Sequence, residues 1–186
     1  MRAFIGIGLS EEARAALTVL QQELSKSHAD VKWVDAEQLH VTLKFLDEIT
    51  EAQRQQVEGF LMKIAQHTSA FTMGLQELGA FPSLNDPRII WVGVSEGKND
   101  VIRLADAIEK ESRALGLKKE EWPYSAHATI GRVRSPRGKH DFIEGLRNPH
   151  WTPPTAWQAT SVTLYQSVLT SAGPTHSVLA EIPLSK

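Results

Sequence analysis

A chain of 186 residues with 41% apolar side chains is long enough to bury a sizeable core. Its net charge of −2 excludes a polycation that coats nucleic acid over its whole surface, so any such contact must be local. The absence of cysteine removes disulfides, thiol nucleophiles and thiolate metal sites together.

The apolar run from Met1 to Leu9 is too short for a signal peptide, and acidic, helix-like sequence comes directly after it. No stretch approaches the ~20 apolar residues that span a bilayer, so the expected setting is the cytoplasm, with no membrane partner. Arg2 to Leu9 reads as a buried strand. Ser10 is placed to cap a helix whose first turn holds Glu11 and Glu12. Ala13, Ala16, Leu17, Leu20 and Leu24 then recur at helical spacing. Val31 to Val34 is a short strand and His40 to Leu46 a longer one. Thr50 with Gln53 forms a capping box ahead of Val57, Phe60, Leu61 and Ile64. Ala70 to Leu78 and Arg88 to Ser95 read as strands flanking a loop from Phe81 to Pro87. Asn99 or Asp100 is expected to cap a third helix that ends near Gly116. Ser125 to Val133 is a strand, followed by the most basic stretch in the chain, Arg132 to His140. A short helix around 141–147, a proline-rich connection, and two strands about a Ser171-Ala172-Gly173-Pro174 turn complete the order. Strands and helices mix without strict alternation, which predicts an α+β fold with antiparallel sheets.

Two segments repeat one pattern: Leu39-His40-Val41-Thr42-Leu43 and Ala126-His127-Ala128-Thr129-Ile130. In a strand, His and Thr two residues apart share a face. Side by side, the strands would bring two imidazoles and two hydroxyls to one spot, a set suited to a phosphate diester. Two such pairs among seven His and twelve Thr arise by chance in roughly one chain in ten, so the motif needs context. Context comes from a second repetition. Ile5-Gly6-Ile7-Gly8-Leu9-Ser10-Glu11 resembles Ile90-Trp91-Val92-Gly93-Val94-Ser95-Glu96, and the interval to the histidine is 30 residues from Ser10 and 32 from Ser95. The chain reads as two halves of one design.

Cleaving a phosphate diester needs a base that takes a proton from the attacking group and an acid that protonates the departing oxygen. Imidazole serves either role near neutral pH. Thr42 and Thr129 would donate hydrogen bonds to the non-bridging oxygens, and Arg132 would balance the growing negative charge. Phe45 and Arg132 both lie five residues after a histidine, which strict parity puts on the opposite face. They reach the site only if each strand bulges, which Gly131 allows in the second copy. Arg132 is then a candidate for phosphate binding and Phe45 for base stacking. Lys44 shares the His40 face by parity, either near the anion or at the rim. Arg134, Arg137 and Lys139 read as a solvated loop, His28, His67, His140 and His150 as surface residues, and the five tryptophans as core. No ligand set beyond the two imidazoles is recognisable, so neither metal nor cofactor is expected.

His40-Val41-Thr42-Leu43-Lys44-Phe45-Leu46 and His127-Ala128-Thr129-Ile130-Gly131-Arg132 closely resemble the H-x-T-L-x-F-L and H-x-T-L-x-R motifs of two-histidine phosphoesterases. Within that superfamily the match is to the RNA 2′,3′-cyclic phosphodiesterases, historically called 2′-5′ RNA ligases. Arg2-Ala3-Phe4-Ile5, Pro87-Arg88-Ile89-Ile90-Trp91-Val92-Gly93 and Leu164-Tyr165-Gln166-Ser167 also look like that family. One departure is visible: His176 stands where members usually carry a tyrosine after Gly-Pro.

The resemblance implies a single two-lobed unit over residues 1–186, with pseudo-two-fold, duplicated antiparallel sheets lining a cleft and helices outside. It implies metal-independent hydrolysis of RNA 2′,3′-cyclic phosphate ends to 2′-phosphate, with 2′-5′ ligation as the reverse chemistry, by a monomer. It favours His40 as acid and His127 as base, although symmetry alone leaves that assignment open. Two other readings share the residues: a phosphodiesterase for small cyclic nucleotides or 2′-5′ oligonucleotides, and a non-catalytic module that holds RNA ends.

Overall fold

The computed structural model describes all residues, Met1–Lys186. Its strands are β1 (Arg2–Gly8), β2 (Val31–Trp33), β3 (His40–Glu48), β4 (Phe71–Met73), β5 (Leu75–Ser83), β6 (Asp86–Val94), β7 (His127–Val133), β8 (Trp157–Ala159), β9 (Ser161–Thr170) and β10 (Gly173–Pro183). The helices are α1 (Glu11–Ser25), α2 (Glu51–Gln66), α3 (Lys98–Ala114) and α4 (Lys139–Arg147). None is long and apolar enough to cross a membrane. Eight strands form one antiparallel sheet in the order β10-β9-β1-β3-β7-β6-β5, with β2 sharing with β3 the edge of β7 that faces away from β6. A separate ribbon pairs β4 with β8.

The two halves meet where Val41 of β3 pairs with Ala128 of β7. Outward from that seam the register repeats. Gly6 lies opposite Thr42 on one side, and Trp91 opposite Thr129 on the other. The helices do not stay with their own half of the sequence. α1, which comes after β1, packs against β7 and α4, while α3, which comes after β6, packs against β3 and α2. The chain thereby crosses the seam repeatedly.

Several expected boundaries hold. Ser10 accepts a hydrogen bond from the Ala13 backbone N–H, and the Thr50–Gln53 capping box forms in both directions. Leu17, Leu20, Val57 and Leu61 are sealed beneath the sheet with Ile5, Ile7, Val41, Ile90, Val92 and Ala128. Three expectations change. The α3 cap is Gly97, whose φ of 73° belongs to the left-handed region, and a Cβ there would lie 2.2 Å from the Thr72 carbonyl oxygen. Asp100 instead sits in the first turn, beside the positive helix end. The segment from Phe81 to Pro87 is no loop. β5 runs through Ser83 and β6 starts at Asp86, because β5 is an edge strand that tolerates proline. Trp122 is 81% exposed rather than core.

Both motif strands carry a bulge at the same place. Ile5 pairs with Lys44 but Gly6 with Thr42, leaving Leu43 as an extra residue; Ile90 pairs with Gly131 but Trp91 with Thr129, leaving Ile130 extra. Each bulge lies three residues after its histidine and reverses the facing of the residues beyond it. Phe45 is 54% exposed, and Arg132 turns to the open face. The bulge in β7 is tied down by Gln21 of α1, whose amide donates to the carbonyls of Ile130 (2.9 Å) and Val34 (2.8 Å).

The residue between bulge and turned side chain faces the core, as Lys44 in β3 and Gly131 in β7. A Cβ on Gly131 would stand 2.8 Å from the Trp33 ring, which fills that space. Lys44 is only 2% exposed and donates to Glu109 (2.7 Å) and the Lys118 carbonyl (2.9 Å), so it ties β3 to α3 and its flank rather than approaching the cleft. Removing one partner of such a pair strands the other's charge, whereas replacing the ion by an apolar chain of similar volume does not. Glu109→Ala, which leaves the buried ammonium only the Lys118 carbonyl and Glu120 at 3.9 Å, should therefore lower unfolding free energy by about 3 kcal/mol, and Lys44→Met by much less. Urea denaturation checks both. A loss from Lys44→Met as large as that from Glu109→Ala would overturn this structural role.

Candidate active site

Antiparallel register about Val41–Ala128 sets His40 across from Thr129 and Thr42 across from His127. Val41 and Ala128 are fully buried on the helix side, so the four polar side chains share the open face. That face forms one wall of a cavity of about 400 Å³, lined among others by Phe4, His40, Thr42, Phe45, Thr129, Arg132 and His176. His127 is not among the lining residues; its ring lies beside Phe81 (5.2 Å between centroids) and Trp91 (5.9 Å).

Each imidazole is oriented by the same device. His40 Nδ1–H donates to the Gln38 carbonyl at 2.7 Å, and His127 Nδ1–H to the Ser125 carbonyl at 2.7 Å. A carbonyl can only accept, so Nδ1 carries the proton in both rings and Nε2 is left for chemistry. His40 Nε2 lies 3.0 Å from Thr42 Oγ1. Tyr124, from the segment before β7, donates its hydroxyl to the Thr42 carbonyl at 2.7 Å and holds the two strands together at the seam.

The surroundings differ between the halves. His40 stacks on Phe4 at 4.7 Å, near Tyr165, and meets His176 edge-on at 5.3 Å. Burial, aided by the nearby His176 and His127 imidazoles, lowers the His40 pKa to about 4, against the opposing hydrogen bond to Gln38. Burial also lowers His127 and His176 below their ordinary value. Both motif rings are therefore neutral at pH 7 in the free protein, with Nε2 as an acceptor.

The motif repeat does not extend to His176, which the tertiary structure brings to the site. Its backbone N–H donates to Gln38 Oε1 at 2.7 Å, while the Gln38 carbonyl holds His40, so one residue mounts both rings. Its Nδ1 is buried without a partner. The sole sequence signal was its position two residues after Pro174. Gln38 and Ser125 left none, since each orients a motif imidazole through its backbone carbonyl. Phe81 was hidden by its assignment to a loop. His28, His67, His140 and His150 lie away from the cleft.

Two acceptor imidazoles and two hydroxyls on one concave face, with a guanidinium beside them, form a site that can exchange protons with a tetrahedral anion and hold its oxygens. Such a face, built twice about a seam, is that of a phosphoesterase. The family model for LigT-like phosphoesterases matches the chain twice in tandem, over residues 7–91 and 92–176, and the chain belongs to that family. It is 32% identical over 185 residues to an RNA 2′,3′-cyclic phosphodiesterase of Aquifex aeolicus, covering 99% of this chain and 97% of the relative. A protein of the same description from Archaeoglobus fulgidus is 30% identical over 179 residues, 96% of this chain and 98% of that one. Among solved structures, TT0787 of Thermus thermophilus has a TM-score of 0.82 at 26% identity, covering 99% of this chain and 98% of the other. The fold is shared with E. coli LigT, solved in complex with 3′-AMP, at a TM-score of 0.80 and 23% identity over 100% of this chain and 98% of the other.

The His40 environment has a spectroscopic consequence. In an NMR titration of the free protein, the His40 ring should change state near pH 4. His176→Ala admits water and removes a repelling ring, so the midpoint should rise towards 6.5. A midpoint that stays put would mean that Phe4 alone sets it.

Proposed function

We propose that this chain hydrolyses the 2′,3′-cyclic phosphate at RNA ends to a 2′-phosphate, with His40 and His127 as the proton-transfer pair. The observation that carries the reading is the mirrored placement of the two His–Thr pairs across the β3–β7 seam, with Nδ1 of each ring engaged by a carbonyl and Nε2 left for chemistry. The names of the Aquifex and Archaeoglobus relatives support the substrate class.

In the forward direction, water attacks phosphorus while one imidazole takes its proton. The P–O3′ bond breaks in line, and the second imidazole protonates the leaving O3′. Thr42 and Thr129 donate to the non-bridging oxygens, and Arg132 offsets the charge that builds on them. Phe45, exposed at the rim, offers a face for the terminal base. With a 5′-hydroxyl in place of water, the same in-line opening gives a 2′-5′ linkage: the base takes the hydroxyl proton, the P–O3′ bond breaks and the acid protonates O3′. The two imidazoles exchange roles only when that linkage is cleaved back to the cyclic phosphate. Burial and the two neighbouring imidazoles hold the His40 pKa down to about 4 in the free protein. His40 acts as the acid only after the bound phosphate anion has raised its pKa.

His40→Ala and His127→Ala should each lower turnover by roughly 10²–10⁴-fold on an RNA ending in 2′,3′-cyclic phosphate, without loss of fold by circular dichroism. Activity should persist in excess EDTA, since both proton transfers are assigned to imidazole. Near-wild-type turnover in either single variant sinks the two-histidine mechanism.

The pH profile depends on the same pair. The competent state has one ring neutral and one protonated, and both free-protein pKa values lie below 6.5. The kcat/KM optimum should therefore fall on the acid side of 6.5 and decline as pH rises. The kcat profile should extend to higher pH, because the bound anion favours the imidazolium. Coincident profiles with an alkaline optimum would contradict this assignment.

A further inference from the structure

β2 pairs with β7 so that Lys32 lies directly opposite Arg132. Directly opposed residues of an antiparallel pair share a face with their Cβ atoms about 5 Å apart, and like charges so placed repel. Both side chains line the active-site cavity, and neither forms an ion pair with a carboxylate, although Asp35 and Asp47 line the same cavity; Asp47 faces Lys118 at 3.7 Å instead. In the neighbouring basic stretch, Arg137 lies 4.0 Å from Asp30 and Lys139 2.7 Å from Asp86, so part of that charge is matched within the protein, while Arg134 has no carboxylate partner. An uncompensated like-charge pair inside a cleft, in a chain of net charge −2, is a cost that an anionic ligand would relieve.

The position of the pair relative to the histidines limits which anion that is. His40 sits across from Thr129, and Arg132 lies three residues further along β7, so the cation row stands about 10 Å along the strand from the proton-transfer row. Arg132 can reach back towards the reacting phosphate. Lys32, on the adjacent strand, lies further out, and its Cε comes within 3.6 Å of the point where a Cβ on Gly173 would stand. The tip of the β9–β10 hairpin, with Leu169, Gly173 and Pro174 in the cavity wall, thus closes one side of the Lys32 position.

We propose that Lys32, beside Arg132, forms a subsite for the phosphodiester immediately upstream of the terminal nucleotide. The cleft then takes the end of an RNA strand in preference to a free cyclic mononucleotide. This rests on the phosphodiesterase reading above and names the part of the substrate that a mononucleotide lacks.

The test compares two substrates with the same terminal nucleoside: adenosine 2′,3′-cyclic phosphate, and a short RNA ending in adenosine 2′,3′-cyclic phosphate. Lys32→Ala should raise KM for the RNA by about fivefold, leave its kcat unchanged, and leave both constants for the mononucleotide within about twofold. Lys32→Arg should restore most of the RNA affinity. The slope of log KM against log salt for the RNA should fall by about 0.7 in Lys32→Ala, one phosphate contact's worth. Equal effects on both substrates, or none on either, overturn the subsite. If wild-type protein turns over neither substrate, the phosphodiesterase reading fails. The subsite is then decided by fluorescence-anisotropy binding of a labelled RNA ending in 2′-phosphate: weaker binding by Lys32→Ala supports it, and unchanged binding overturns it.

Discussion

The pairing of β3 with β7 through Val41 and Ala128 is the contact on which everything else at the cleft depends. Two strands that enter from opposite halves of the sequence must run antiparallel at one register. A shift by a single residue would turn one His–Thr pair into the core and bring Val41 or Ala128 to the open face. Apolar burial opposes that shift, because both residues are fully buried against the helices. The seam is short, and its reinforcement comes from outside it. Tyr124 anchors to the Thr42 carbonyl, and α1 and α3 each cross to pack against the strand of the other half. A chain laced in this way resists separation of its halves, which keeps the two imidazoles at a constant spacing.

The paired bulges solve a second geometric problem. Regular alternation would present only every other residue of each motif strand, and Phe45 and Arg132 would point into the core. Inserting Leu43 and Ile130 as extra residues re-aims them without breaking the sheet. At the second bulge the freed polar group is satisfied locally: the Ile130 carbonyl accepts from both the Val34 N–H and Gln21. The core side of each bulge is filled differently, by an ion-paired lysine in one half and by Trp33 over a glycine in the other. Duplication has preserved the backbone device while the packing around it has diverged.

Electrostatically the cleft is divided along its length. At the seam, desolvated imidazoles lie among Phe4, Tyr165, Phe81 and Trp91 and are neutral at pH 7. Further along β7, fixed cations stand exposed and unpaired. The neutral end keeps its proton inventory adjustable, and the charged end supplies electrostatic attraction. The basic segment after β7, the most prominent charge feature of the sequence, lies outside this scheme because Asp30 and Asp86 neutralise part of it.

The order of strands and helices, the caps at Ser10 and Thr50 and the pairing of each histidine with a threonine were legible in the sequence. All are set by local periodicity or by spacings of two or three residues, which a strand or helical turn converts directly into a shared face or a cap. The family motifs of the two halves were legible for the same reason. What only the tertiary structure decided depends on partners distant in the chain. Lys44 is core because α3 supplies Glu109 from 65 residues away, and the Phe81 segment is a strand because β6 pairs with it. His176 joins His40 because Gln38, 138 residues earlier, receives its backbone N–H. The pair formed by Lys32 and Arg132 exists only in the β2–β7 register. Parity along a strand is a local rule, and a bulge cancels it; whether a bulge forms is settled by the strand alongside and by the side chains that take up the groups it frees.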